Sequence, residues 1–291
     1  MQGMLARGDL KMRQSRRERK QTETRRRASL RRFFFSGVGL IALTLGMVWA
    51  SFGEPGHWDW PPRFSPPLPP LEGGTEEETR PDVVPTVPGI IRSGPLHQRR
   101  VAITFDDGPD VNSTPQILAV LREYGVVATF FLVGNRAELY PDLVRSIARD
   151  GHELANHTWS HPRMELLSEQ RAVGELVTTT QLLTRLGHQP IRWFRPPYGS
   201  FSEEVLQWVQ RAGLITVLWS VDSRDWDGRS AESIFRRVVS QVQPGSIILL
   251  HCAAGASEAP YQTLRALPDI ITFLREAGYE MVTLGQLLDE G

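Results

Sequence analysis

The strongest constraint on this chain is an alternation. From about His97 onward, short apolar runs bounded by turn residues alternate with stretches whose apolar residues recur at helical spacing. Residues 100–105 read as a buried strand. Pro115 suits a first helical position after Thr114, and Ile117, Leu118, Val120 and Leu121 form an apolar stripe. Residues 126–133 and 152–156 read as further strands, separated by a helix that Pro141 opens and Gly151 stops. Ser168 caps a long helix that ends at Gly187. Strands at 191–194, 214–219, 246–250 and 279–282 follow. Between them lie a helix from Ser202 to Gly213, one over 230–242 and one over 268–277. Strands that alternate with helices imply a parallel sheet, because parallel neighbours need crossovers. A full eight-unit barrel takes ~250 residues, and 98–291 supplies 194. The expected fold class is α/β, a distorted, incomplete (β/α)7-type barrel of about seven units; an open doubly wound sheet is the alternative.

The first 97 residues read differently. Residues 1–32 carry twelve Arg/Lys against three Asp/Glu with few apolar residues, a basic tail that cannot bury enough surface to order itself. Residues 33–52 contain no charge. A helix of that length covers ~30 Å, the bilayer core, so it reads as a single transmembrane signal anchor. The basic flank places the N-terminus in the cytoplasm and the body outside it; a cleaved signal peptide is the competing reading. Residues 53–97 hold eleven of the 21 prolines and read as a semi-rigid linker. The formal net charge is zero, but beyond residue 32 there are 21 basic and 30 acidic residues. That balance excludes a nucleic-acid-binding body, which needs clustered positive charge. Cys252 is the single cysteine, which excludes an intramolecular disulfide and a cysteine-rich zinc finger.

Parallel β/α folds carry their sites at the C-terminal ends of strands. Asp106 and Asp107 follow the first strand, His157 and His161 the third, and Arg195, Pro197 and Tyr198 the fourth. Asp222, Asp225 and Trp226 follow the fifth and His251 the sixth. Adjacent carboxylates repel unless a cation lies between them or they form a solvated turn. Histidines at i and i+4 share a helical face and can converge on zinc, although two surface histidines would show the same spacing. A zinc-protease helix needs Glu after the first His; Thr158 stands there. Asp225 could hold His251 protonated as an acid, and Arg195 could hold Asp106 ionised. A satisfied core histidine and a surface ion pair are the plain alternatives.

Five stretches in order strengthen this reading: Thr104 to Pro109 (TFDDGP), His157 to His161 (HTWSH), Arg195 to Gly199 (RPPYG), Asp222 to Trp226 (DSRDW) and Leu249 to His251 (LLH). With them, residues 98–291 resemble the polysaccharide deacetylases of the NodB-homology type, carbohydrate esterase family 4. The resemblance implies a distorted (β/α) barrel that removes N-acetyl groups from amino sugars. It implies Asp106 as general base, Asp107, His157 and His161 as metal ligands, and Arg195 as the residue that orients Asp106. Tyr198 would give its N–H to the oxyanion, beside Pro197. Asp225 would partner the acid His251, and Trp226 and Leu249 would line an acetyl pocket. Asp222 takes a supporting role. The implied cofactor is a divalent ion, zinc, with cobalt or another divalent ion as alternatives. One departure is visible: Cys252 stands where many members have Asp, as a buried apolar residue or an oxidation-sensitive thiol. The anchor and linker favour peptidoglycan as substrate, with chitin oligomers and acetylated xylan next. A metal-free carbohydrate-binding module and a structural envelope scaffold are the non-enzymatic alternatives. No oligomeric state is expected from the sequence.

Overall fold

The structure, a computed structural model, describes residues 89–253 and 259–289. The basic tail, the charge-free run at 33–52 and the linker up to residue 88 lie outside the described residues. No helix among the described residues is long and apolar enough to cross a membrane.

The nine strands among the described residues are β1 (Ile90–Ile91), β2 (Arg100–Gly108), β3 (Thr129–Leu132), β4 (Glu153–Asn156), β5 (Trp193–Phe194), β6 (Ile215–Val217), β7 (Val221–Asp222), β8 (Ile247–His251) and β9 (Glu280–Val282). The helices are α1 (Thr114–Tyr124), α2 (Gly134–Leu139), α3 (Pro141–Arg149), α4 (Glu169–Gly187), α5 (Glu203–Arg211), α6 (Ala231–Gln241), α7 (Ala259–Glu276) and α8 (Leu284–Leu288). All the strand pairs are parallel, in the order β1-β6-β5-β4-β3-β2-β8-β7, with β9 on the early part of β2. The sheet curls without closing between β7 and β1, a half-barrel that agrees with the incomplete barrel expected.

Strand alternation sorts the core into two layers. Ile103, Phe105, Phe130, Ile248 and Leu250 face the helices, in one cluster with Ile117, Leu121, Leu176 and Ile271. Ala102, Phe131, Ala155, Trp193, Val217 and Ile247 face the interior. The bottom of that interior is stoppered by α8. Thr283 and Gln286 form a capping box at its start, and Leu284 and Leu287 are buried in the inner cluster. Glu153 locks the stopper: its carboxylate accepts from Thr129 Oγ1 at 3.0 Å, Trp193 Nε1 at 2.7 Å and the Gly285 N–H at 3.0 Å.

Three expectations need correction. Ile90 and Ile91, assigned to the linker, pair with Thr216 and Val217 of β6, so the sheet begins before residue 98. Val221–Asp222 forms an edge strand of its own rather than a turn after the fifth strand. The helix expected from Pro268 begins at Ala259, and Pro268 lies inside it. Buried Leu264, Leu267, Ile271 and Leu274 keep one face continuous across the proline, so packing outweighs the local cost of the ring.

Candidate metal and hydrolytic site

At the end of β2, Asp107 has φ 72° and the pairing with β3 shifts register between Phe105 and Gly108. This bulge brings both carboxylates to the mouth, where strict alternation would send them to opposite faces. His157 Nε2 lies 3.3 Å from Asp107 Oδ1 and 3.9 Å from Asp106 Oδ2. His157 Nδ1 is 2.7 Å from the Arg195 carbonyl. A carbonyl can only accept, so Nδ1 carries the hydrogen and the Nε2 lone pair faces Asp107.

His161 reaches the same point by a loop, not along the helical face that its spacing suggests. Thr158 and His161 have φ 67° and 59°. The loop is held from three sides. The Thr158 N–H donates to Asn156 Oδ1, the Trp159 and Ser160 N–H groups donate to Glu175 Oε2, and Gly134 and Asn135 donate to the Thr158 and Trp159 carbonyls. Gly134 must be glycine here, since a Cβ would lie 2.5 Å from the Trp159 ring.

One ligand atom each from Asp107, His157 and His161 lies within 4.8 Å of the others. Asp107 Oδ1 is shut from solvent with no hydrogen-bond donor aimed at it. An enclosed orphan oxygen facing the Nε2 atoms of His157 and His161 fits a shared divalent cation, and two nitrogens with one oxygen leave positions open as catalytic zinc sites do.

On one side of this triad stands Asp106, buried, with Oδ1 2.7 Å from Arg195 Nη1. Arg195 is wholly buried, and its remaining donors reach Thr104 Oγ1 at 2.9 Å and the Val217 and Leu218 carbonyls at 3.3 and 3.0 Å. Its guanidinium also lies 4.0 Å from the Phe131 ring centroid. Beside Asp106 on the neighbouring strand is His251, its register partner across β2 and β8. His251 Nδ1 is 2.7 Å from Asp225 Oδ1, and the His251 N–H donates to Asp225 Oδ2 at 2.7 Å. Burial would lower the His251 pKa; the Asp225 charge and hydrogen bond overcome it and raise the imidazole to about 9.

The family model for polysaccharide deacetylases matches residues 93–217. A peptidoglycan-N-acetylglucosamine deacetylase of Bacillus cereus is 41% identical over 192 residues, which cover 66% of this chain and 69% of that protein. The chain belongs to the polysaccharide deacetylase family. A chitooligosaccharide deacetylase of Azorhizobium caulinodans is 36% identical, covering 65% of this chain and 94% of its own length. Among solved structures, the Bc1960 peptidoglycan N-acetylglucosamine deacetylase, crystallised with a naphthalenyl-N-oxidanyl-benzamide, has a TM-score of 0.67. It is 38% identical and covers 70% of this chain and 94% of its own. Asp225 and His251 lie beyond the residues matched to the family, yet the end of β8 brings His251, and the 3-10 turn after β7 brings Asp225, to the same mouth.

The remaining rim residues of this deacetylase fall into place unevenly. Tyr198 has φ 61°, the residue is 62% exposed, and its N–H takes no partner among the described residues. The ring packs edge-on against His161 at 4.8 Å. Pro197 is buried beneath it, Trp226 is half-exposed, and Leu249 is buried on the inward face shared by Ile247 and His251. Asp222 is not brought to the donors: its carboxylate accepts from the Arg224 N–H, and its carbonyl accepts from Arg237 and Gln241. Cys252 is fully buried, and its thiol donates to the Asp106 carbonyl at 3.3 Å. Burial and the nearby carboxylates push its pKa up, so it stays a protonated filler and backbone brace, not an additional ligand.

Sequence reasoning missed Thr104, Thr263 and Glu175. Thr263 Oγ1 donates to Asp225 Oδ2 at 2.6 Å. Thr104 had a readable signal, a polar residue on the inward face between Ala102 and Asp106. Thr263 had none, because the start of its helix was not recognised.

Proposed function

We propose that this chain hydrolyses N-acetyl groups from an amino-sugar polymer, with peptidoglycan as the leading substrate, and that it is metal-dependent. The observation that carries the reading is the convergence of an Asp/His/His donor set at the same strand ends as an Arg-paired aspartate and an Asp-paired histidine. A cell-wall polymer fits the Bacillus cereus relative and the charge-free run at 33–52, which in this proposal anchors the domain on the outer side of the membrane. Chitin oligomers are the second reading, favoured by the chitooligosaccharide deacetylase relative.

A divalent ion, zinc in this proposal, held by Asp107, His157 and His161 would supply Lewis acidity at the acetamide oxygen and lower the pKa of the attacking water. Asp106 takes the proton from that water. The guanidinium of Arg195, 2.7 Å from Oδ1 and itself held by Thr104 and the Val217 and Leu218 carbonyls, orients that carboxylate. The Tyr198 N–H donates to the oxyanion that forms as the carbonyl carbon becomes tetrahedral, a contribution of about 3–4 kcal/mol for one well-placed donor. His251, protonated and oriented through Nδ1 by Asp225, gives its Nε2 proton to the amide nitrogen as the C–N bond breaks. Acetate and a free amine leave. A binding module would need neither a base nor an acid at this point, so their presence favours catalysis over adhesion.

The test is acetate release from purified peptidoglycan and from chitin oligomers. Release should stop with a chelator and return on adding zinc; release that ignores the chelator overturns metal dependence. The pH profile gives a second check. His251 must be protonated to act, so the rate should fall as pH rises through its pKa, at or below about 9. Part of that elevation comes from Asp106 and Asp107, and a cation on Asp107 reduces its share. Asp225→Asn removes the main stabilising charge and should move this basic limb to lower pH. An unmoved limb would take the acid role away from His251.

A further inference from the structure

Resting on the deacetylase reading above, we propose that Arg163 forms a carboxylate-binding subsite on the rim. It selects amino-sugar polymers that carry an acid group on a saccharide beside the one losing its acetyl. Arg163 lies two residues beyond His161 in the same loop. Its guanidinium sits over the Tyr198 ring, 5.0 Å from the centroid, and that ring packs against His161. One aromatic ring therefore separates the positive charge from the donor set. That offset suits a neighbouring pyranose, not the reacting one.

The guanidinium is held in place but not used up. Glu165 Oε1 accepts from Ser200 Oγ at 2.6 Å and from Arg163 Nη1 at 3.4 Å. The Arg163 side chain is 56% exposed, and Nε and Nη2 make no hydrogen bond among the described residues. An exposed pair of this kind contributes about 0–1 kcal/mol, so a substrate carboxylate can take the remaining donors in the paired geometry that arginine favours. Stacking on Tyr198 and the Glu165–Ser200 link remove rotamer freedom before substrate arrives, which lowers the cost of binding.

Charge makes such a subsite selective. Beyond residue 32 acidic side chains outnumber basic ones 30 to 21, and Asp106 and Asp107 lie at the mouth. An anionic polymer receives no general attraction from this body, so a fixed local cation decides whether it is favoured over a neutral one. Two sources of carboxylate fit: the lactyl ether acid of a peptide-free peptidoglycan strand, and the free acids of its peptide stems.

The experiment uses the full chain, loaded with zinc, as wild type, Arg163→Gln and Arg163→Lys. Three substrates of equal length are compared: chitin oligomer, peptide-free peptidoglycan glycan, and peptide-bearing glycan whose lactyl acid is amidated. Arg163→Gln should lower kcat/KM for a carboxylate-bearing glycan relative to chitin oligomer by about tenfold, through KM, as for loss of one charge-assisted contact. Arg163→Lys should recover part of it. Raising salt from about 50 to about 300 mM should erode the wild-type ratio and leave that of Arg163→Gln unchanged. Whichever acidic glycan loses the advantage identifies the carboxylate. An unchanged ratio, or an equal fall on all three substrates, overturns the subsite while the deacetylase reading stands. A wild type that releases acetate from none of them overturns that reading itself.

Discussion

Asp106→Asn is expected to cut kcat by about 10²- to 10⁴-fold, the range for loss of a positioned general base, with metal affinity nearly intact. The side chain keeps its shape, and the three donors belong to other residues. The change also leaves Arg195 without its counter-charge in a fully buried position. Breaking such a pair costs about 3–5 kcal/mol where nothing else compensates. Here Thr104 and two backbone carbonyls still receive the guanidinium, so the folded state should survive with a lowered Tm. Calorimetric zinc titration and acetate release on the same preparation separate the two effects. A variant that binds zinc and turns over near the wild-type rate would strip Asp106 of the base role.

His157→Ala is expected to lose both properties together. It removes one of three ligand atoms, and with it the Nδ1–H bond to the Arg195 carbonyl that fixes the loop after β5. Loss of a residue that merely supports a ligand costs about 10- to 100-fold in metal affinity, and loss of a ligand itself should exceed that. Zinc content after dialysis and acetate release should fall in parallel. Full zinc occupancy in His157→Ala would place the cation somewhere other than between Asp107, His157 and His161.

Much of this site could be read from the chain because its parts sit at ends of apolar runs. Asp106 and Asp107 close a run of β-forming residues, and His251 follows four consecutive aliphatic ones. Any parallel β/α fold brings such ends to one rim. What escaped was geometry that periodicity does not encode. The His157–His161 spacing matches a helical turn, yet the loop takes left-handed residues at Thr158 and His161, stabilised by Glu175 from α4 and Gly134 from α2. Two-residue strands such as Ile90–Ile91 and Val221–Asp222 are too short to alternate visibly. Glu165, Ser200 and Arg163 come from the segments after β4 and β5, and their meeting depends on the parallel pairing of these two strands, which no local pattern announces.

The Glu153-locked stopper at the far end of the sheet bears on the chemistry at the mouth. An unclosed barrel lets solvent creep along its inner face unless something insulates it. Thr104 and Arg195 occupy the storey directly below Asp106, and water admitted there would raise the local dielectric and weaken the guanidinium's grip on that carboxylate. Leu284 and Leu287, contributed by the last described helix, thus serve as dielectric shielding for the proton transfer proposed at the opposite end of the sheet.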